Sequence, residues 1–181
     1  MDKKFIVFEG VDGSGKTLLA QMIAEKVKGV YYKCPPEALK PARKAADEGS
    51  PWARFYFYLS GNCMASDEIK EILKTKSVIC DYYVYSTIAF HSVLLERDVS
   101  FPGDIKLPDN IVYTTAPFPL IEKRLSERPI RTKYEQMPFL KQVAKKYDQL
   151  FEGMHHVIKI DTSQPIEKSI EQILKKESFI F

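Results

Sequence analysis

The amino-acid sequence predicts an α/β protein in which helices cover both faces of a five-stranded, mainly parallel sheet. Short apolar runs alternate along the chain with longer segments whose apolar residues recur at helical spacing, which is typical of parallel strands joined by helices. The 181 residues are 45% hydrophobic and 28% charged, which is enough for one buried core and the usual size of one domain. We therefore expect a single domain over residues 1–181.

The first half of the chain is predicted to contain three strands and three helices. Residues 5–8 are all apolar, as in a strand that is buried on both faces, and Gly29 ends the helical pattern that follows them. Ser50 and Pro51 indicate the start of a long helix, because serine caps a first turn and proline fits the first helical position. The predicted elements are a strand over 5–8, a helix over 18–27, a strand over 30–32, a helix over 37–47, a helix over 52–73 and a strand over 77–81.

The second half is predicted to contain two strands and four helices. Residues 124–133 are basic and are interrupted by Pro129, so we expect a mobile loop there. The predicted elements are a helix over 86–96, a strand over 110–115, a helix over 120–126, a helix over 139–150, a strand over 157–160 and a helix over 166–174. In a sheet of this kind, ligands bind at the carboxyl ends of the strands.

Composition excludes several classes of protein. A net charge of +3 is too small for a protein that coats a nucleic-acid polymer, although it suits small anionic ligands. The three cysteines are widely spaced, which argues against a secreted disulfide scaffold and for a reducing cytoplasm. The longest uncharged segment in the middle of the chain, residues 82–95, is shorter than the about 20 apolar residues that span a bilayer. We therefore expect a cytoplasmic protein without a membrane partner.

Residues 10–17 match the phosphate-binding pattern G-x-x-x-x-G-K-S/T with the sequence G-V-D-G-S-G-K-T. The loop lies between a predicted buried strand and an amphipathic helix, where backbone N–H groups at the helix start can bind phosphate oxygens. Lys16 supplies a charge for the β and γ phosphates of ATP, and Thr17 supplies a hydroxyl for Mg²⁺. Asp81 ends the third predicted strand, where it either supports Mg²⁺ or caps the following helix.

Several segments, in order along nearly the whole chain, resemble the thymidylate kinase family of P-loop nucleoside monophosphate kinases. Residues 8–17, F-E-G-V-D-G-S-G-K-T, resemble its phosphate loop, and residues 81–86, D-Y-Y-V-Y-S, resemble its D-R-Y-x-x-S segment. Residues 107–109, 124–135 and 161–165 resemble its P-D strand entry, its arginine-bearing lid and its loop near adenine. The chain is thus identified as a divergent member of this family.

The resemblance implies a P-loop NTPase-type fold with a short lid at about 124–136 and an acceptor-binding region at about 33–63. It also implies transfer of the γ-phosphoryl group of ATP to dTMP or a related nucleoside monophosphate, with Mg²⁺, and a homodimer. The implied catalytic residues are Lys16, Asp81, Arg128 and Arg131, and the implied metal-binding residues are Thr17 and Asp81. The implied ATP-binding residues are Gly10, Asp12, Gly13, Ser14, Gly15, Lys16, Thr17 and Arg124. The implied acceptor-binding residues are Asp12, Lys33, Arg43, Arg54, Leu59, Asn62, Tyr82 and Phe90.

The acceptor side departs from the family pattern at two places. The arginine of D-R-Y, which grips the acceptor phosphate in the family, is Tyr82 here, so Lys33, Arg43 and Arg54 become the candidate cations. Leu59 and Cys63 stand where the family has a stacking phenylalanine and a thymine-binding arginine. These changes leave open a second function, a P-loop kinase for another acceptor such as a nucleoside, and a third, an inactive nucleotide-binding module.

The lid carries the cations expected near the transferred phosphoryl group. Gly13 stands at the loop position where some relatives carry a basic residue, so Arg128 and Arg131 are predicted to supply that charge. For Arg124, stacking on adenine and a solvated place at a helix end remain alternatives. His91 either contacts a base edge or is simply packed or exposed.

Overall fold

The computed structural model describes residues 3–129 and 132–176. Five strands form one sheet: β1 (Phe5–Glu9), β2 (Val30–Lys33), β3 (Val78–Asp81), β4 (Asn110–Thr115) and β5 (Val157–Asp161). The helices are α1 (Lys16–Lys26), α2 (Lys40–Glu48), α3 (Pro51–Ile72), α4 (Val84–Leu94), α5 (Phe118–Ser126), α6 (Met137–Phe151) and α7 (Ile166–Leu174), with a 3₁₀ turn at Glu37–Leu39. The predicted five-stranded α/β fold is confirmed.

The strands are all parallel and run in the order β2-β3-β1-β4-β5, which puts β1 at the centre. Every residue of β1 is buried, as its continuous apolar run predicts. In the register of the sheet, Phe8 lies beside Asp81 of β3, and Glu9 lies beside Tyr113 of β4. The phosphate loop and Asp81 therefore meet at the carboxyl edge of the sheet.

Alternate side chains of β1 point to opposite faces, and each face has its own core. Phe5 and Val7 pack in the core that α3, α4 and α6 cover, whereas Ile6 and Phe8 pack in the core beneath α1 and α7. The central strand thus contributes buried side chains to the core on each face of the sheet. Along the described parts of the chain, none of the helices has the length and apolar character needed to cross a bilayer.

Most predicted elements are present, and the differences lie at their ends. The predicted helix over 37–47 is divided into the 3₁₀ turn and α2, because Pro41 starts a new helix at its first turn. α2 has no buried residue and lies against α3. The basic segment predicted to be a loop from residue 124 begins later, because α5 continues to Ser126. Arg124 is therefore on a helix.

Candidate active site

The loop between β1 and α1 has the geometry that phosphate binding requires. Gly10 and Gly15 have φ values of 141° and 92°, which side-chain-bearing residues rarely adopt. A Cβ atom at Gly10 would lie 2.4 Å from the carbonyl oxygen of Thr114, so only glycine fits between the loop and β4. Gly15 also stands at the N-terminus of α1, where backbone N–H groups are free to bind an anion.

Lys16 is held at the mouth of this loop. Its side chain is buried, and Nζ donates hydrogen bonds to the carbonyl oxygens of Gly10 at 2.7 Å and Val11 at 2.9 Å. The ammonium group is thus already placed beside the loop that would surround a phosphate chain. Ser14, by contrast, turns its hydroxyl toward Thr114, with 2.7 Å between the two oxygens, and so fastens the loop to β4.

Thr17 and Asp81 meet as the sequence predicts for a magnesium site. Thr17 Oγ1 donates a hydrogen bond of 2.7 Å to Asp81 Oδ2, which also accepts one of 3.0 Å from the hydroxyl of Tyr31. The alternative role for Asp81 as a helix cap is wrong, because α4 has Tyr83 at its N-cap position without a side-chain cap. A hydroxyl and a carboxylate are hard oxygen donors of the kind that Mg²⁺ prefers.

Arg124 joins three parts of the site. Its guanidinium donates hydrogen bonds to the carbonyl oxygen of Gly13 at 3.2 Å and to Oγ1 and O of Thr162 at 2.9 and 2.7 Å. The Thr162 hydroxyl in turn donates to the carbonyl oxygen of Ser14 at 2.8 Å. The interpretation of Arg124 as a solvated charge is therefore wrong. Thr162 lies in residues 161–165, which resemble the family's loop near adenine, but its hydrogen bonds to Arg124 and the phosphate loop were not predicted from the sequence.

The lid contributes a cation that is paired within the lid itself. Arg128 Nη1 lies 3.1 Å from Oε1 of Glu135, whose side chain is buried. The other carboxylate oxygen of Glu135, Oε2, accepts a hydrogen bond from the backbone N–H of Thr132. The Arg128 side chain is 44% exposed and lines the cavity beside the phosphate loop. The other predicted lid cation, Arg131, lies outside the described residues.

One cavity of about 1190 Å³ contains both predicted halves of the site. Single-ligand pockets usually measure about 300–1,000 Å³, so this cavity has room for two nucleotides. The phosphate loop lines this cavity, and so do the acceptor candidates Lys33, Arg43, Arg54, Tyr82 and Phe90.

Two predicted acceptor residues lie apart from this cavity. Leu59 is packed against the core, and Asn62 is 1% exposed. Asn62 accepts a hydrogen bond from Cys34 Sγ at 3.2 Å and donates one to Thr87 Oγ1 at 2.8 Å. Because its amide is already satisfied inside the protein, the structure does not bring it together with the other acceptor candidates.

Arg54 is the central cation of the acceptor end. Nε donates to Asp47 Oδ1 at 3.1 Å, and Nη1 lies 3.0 Å from Nε2 of His91. The rings of Tyr58, Phe90 and Tyr134 surround the guanidinium, with centroids 4.2–4.6 Å from its carbon. Sequence reasoning did not assign Asp47, Tyr58 or Tyr134 to the site, since they come from three separate segments of the chain.

Glu9 lies beneath the phosphate loop and was also missed. It is fully buried, and burial raises the pKa of Glu9 to about 7, although hydrogen bonding from Ser86 and the charge of Lys16 oppose the rise. Ser86 donates to Oε2, as does the hydroxyl of Tyr147 at 3.3 Å. The sequence feature that could have pointed to Glu9 is its place as a carboxylate at the end of an otherwise apolar strand.

Comparison with known proteins agrees with this arrangement. The family model for thymidylate kinase matches residues 8–173. The chain is 33% identical to a probable thymidylate kinase of Methanococcus aeolicus, over 96% of this chain and 95% of that protein, and 30% identical to one of Methanocaldococcus jannaschii, over 96% and 93%. The structure of Candida albicans thymidylate kinase shares the fold with a TM-score of 0.75 at 20% identity, over 96% of this chain and 90% of that one.

The family match includes the phosphate loop, Asp81 and the lid, which are the parts that the cavity brings together. The relatives also match over nearly their full lengths, so the likeness extends well beyond one nucleotide-binding motif. We conclude that the chain belongs to the thymidylate kinase family.

Proposed function

We propose that this protein is a nucleoside monophosphate kinase that transfers the γ-phosphoryl group of ATP to the 5′-phosphate of dTMP. The observation that carries the proposal is one cavity lined both by the phosphate loop with Lys16 and by three further cations, Lys33, Arg43 and Arg54. Phosphoryl transfer needs two anionic nucleotides in line and their charges neutralised, and little covalent chemistry from the protein. Membership of the thymidylate kinase family supports dTMP as the acceptor.

On the donor side, Lys16 and the loop backbone hold the β and γ phosphates of ATP. Thr17 and Asp81 hold Mg²⁺, which when bound neutralises phosphate oxygens; the 2.7 Å contact between their oxygens supports this assignment. Within residues 3–129 and 132–176 there is no cluster of three or more His, Cys, Asp or Glu side chains suited to a metal. Such a site fits an ion that takes most of its ligands from phosphates and water.

On the acceptor side, Lys33, Arg43 and Arg54 neutralise the phosphate that receives the transferred group. Asp12, on the phosphate loop, lines the same cavity as the acceptor-side cations, and we assign it to the acceptor sugar. Phe90 packs near the acceptor base. Tyr82 donates a hydrogen bond at most, because burial keeps the pKa of its phenol well above its usual value.

The lid arginines Arg128 and Arg131 supply positive charge to the transferred phosphoryl group. We expect Arg128→Ala to lower kcat by roughly 10- to 100-fold while leaving the dissociation constant of ATP within about threefold of the wild type, because charge that stabilises the transition state acts on kcat. Steady-state kinetics and calorimetric titration with ATP measure the two effects. Lys123→Ala, an exposed cation on the same helix as Arg124, is the control and should behave like the wild type. Unchanged turnover in Arg128→Ala would assign the critical charge to another residue.

The proposed acceptor is tested by coupling ADP release to a panel of nucleosides and nucleoside monophosphates. We expect turnover with dTMP and none with thymidine, and ADP release that is about 10³-fold slower from Lys16→Ala. Turnover of nucleosides without monophosphates would instead support the nucleoside kinase, and ATP binding without ADP release from any acceptor would support the inactive module. The family match and the retained Lys16, Thr17 and Asp81 do not favour either alternative.

A homodimer in the cytoplasm is also proposed. α3 exposes Trp52 and Tyr56, which are 40% and 61% accessible and stack on each other, and an exposed aromatic pair of this kind suits a subunit interface. Cys34, Cys63 and Cys80 are free thiols, which suits a reducing compartment. The expected partners remain nucleotide substrates and a second copy of the chain, without a nucleic-acid polymer or a membrane.

A further inference from the structure

His91 has one fixed hydrogen-bonding state in this protein. The residue is fully buried, and its Nδ1 lies 2.8 Å from the carbonyl oxygen of Thr87. A carbonyl oxygen only accepts, so Nδ1 carries the hydrogen, and Nε2 is left with a lone pair. Burial lowers the pKa of His91 to about 4, and the adjacent charge of Arg54 contributes to the lowering, so the ring is neutral at physiological pH.

That lone pair faces Arg54. Nη1 of Arg54 donates to Nε2 of His91 over 3.0 Å, while Nε of Arg54 donates to Asp47 over 3.1 Å. Guanidinium has five N–H groups in a rigid plane, so two fixed bonds set the direction of the rest. Aromatic rings lie within 4.6 Å of the guanidinium carbon, which leaves its polar edge as the part able to bind a ligand.

The charge of Arg54 also reaches the position at which the chain carries Tyr82. Burial raises the pKa of Tyr82 well above its usual value, and the charge of Arg54 is the largest influence that opposes the rise. Tyr58 lies between them, with its ring 6.4 Å from that of Tyr82 and 4.6 Å from the Arg54 guanidinium. The cation absent from residue 82 is therefore provided nearby, from α3.

We propose that His91 is a positioning residue for the acceptor: its Nε2 holds Arg54 so that the free edge of the guanidinium binds the 5′-phosphate of the acceptor monophosphate. The inference rests on the proposed function, because it assumes an acceptor that carries a phosphate. It assigns His91 to the orientation of a cation rather than to contact with a base. Arg54 is the group that touches the acceptor, and His91 acts through it.

The test compares His91→Leu, which removes the acceptor of the hydrogen bond, with His91→Gln, whose amide oxygen can accept from Arg54 while its N–H donates to Thr87. We expect His91→Leu to raise KM for dTMP by about tenfold, with kcat and KM for ATP within about threefold of the wild type. His91→Gln should bring KM for dTMP most of the way back to the wild-type value. A merely structural role would lower the melting temperature and shift KM for both substrates together, and that result would overturn the inference.

Two further measurements make the test specific for the phosphate. By calorimetry on the full chain, His91→Leu should weaken dTMP binding by about tenfold and leave thymidine binding unchanged. An equal loss of thymidine binding would mean that His91 and Arg54 act on the base, and it would overturn the inference.

In an Arg54→Lys background, His91→Leu should have little additional effect on KM for dTMP, since the two residues act as one unit. Additive effects would contradict the proposal.

The outcomes for the wild type separate this inference from the proposed function. A wild-type protein that releases no ADP with dTMP or any other monophosphate overturns both. Turnover of dTMP with an unchanged KM in His91→Leu overturns the positioning role alone and leaves the kinase assignment standing.

Discussion

Replacement of Lys16 by alanine is expected to lower kcat for dTMP phosphorylation by about 10³-fold. The ammonium group is buried at the mouth of the phosphate loop and is held there by the carbonyl oxygens of Gly10 and Val11. In the transition state, negative charge shifts toward the oxygens between the β and γ phosphates, and a fixed positive charge at that point stabilises it more than the ground state. The loss should therefore appear in kcat more than in the affinity for ATP.

Lys26→Ala is a matched control, because Lys26 lies on the same helix, α1, at the end away from the loop. Coupled ADP release gives kcat for both variants, and calorimetry gives their affinities for ATP. The control should stay within about threefold of the wild type in both quantities. Turnover by Lys16→Ala within about tenfold of the wild type would contradict the assigned role of the loop.

The fold and the donor half of the site could be predicted because their signals are local. β1 is a continuous apolar run, and the phosphate loop is a contiguous stretch between that strand and a helix. Asp81 could be paired with Thr17 because parallel strands end at one edge of a sheet, and the two side chains are indeed hydrogen bonded. These features can be predicted because they depend on residues close together in the sequence, and on the rule that parallel strands end at the same edge of a sheet.

The surroundings of Arg54 could not be predicted, because they depend on how separate elements pack. Asp47 comes from α2, His91 from α4 and Tyr134 from the lid, and nothing in their sequence neighbourhoods indicates that they meet. Asn62 illustrates the opposite error. Its place within a family-like segment predicts a ligand contact, yet on the folded helix it turns into the core toward Thr87. Side-chain direction on a long helix is set by tertiary packing.

Element ends were also less predictable than the elements themselves. α4 starts at Val84, ahead of the predicted residue 86, although its first residues carry no capping signal. Tyr82, just before α4, has a φ of 73°, which is strained for an aromatic residue. This local strain has no signature in the sequence.

Glu9→Gln should change how stability depends on pH by about 2 to 3 kcal/mol between pH 5 and pH 8. Glu9 is fully buried, and burial raises its pKa from 4.5 in the unfolded chain to about 7 in the folded protein. Between these values the folded state binds more protons than the unfolded state. The contribution of Glu9 is thus present in full below pH 4.5 and is lost as pH rises through 7, so the free energy of unfolding falls over that range.

Glutamine resembles the protonated carboxyl group and does not titrate, so the variant should match the wild type at pH 5 and exceed it at pH 8. Urea unfolding of both proteins at the two pH values gives the free energies of unfolding. Glu122→Gln removes an exposed carboxylate from α5 and should follow the wild-type pH dependence. Parallel curves for the wild type and Glu9→Gln would mean that the carboxylate stays ionised under the loop. In that case the hydrogen bonds from Ser86 and Tyr147, together with the charge of Lys16, outweigh the cost of burial.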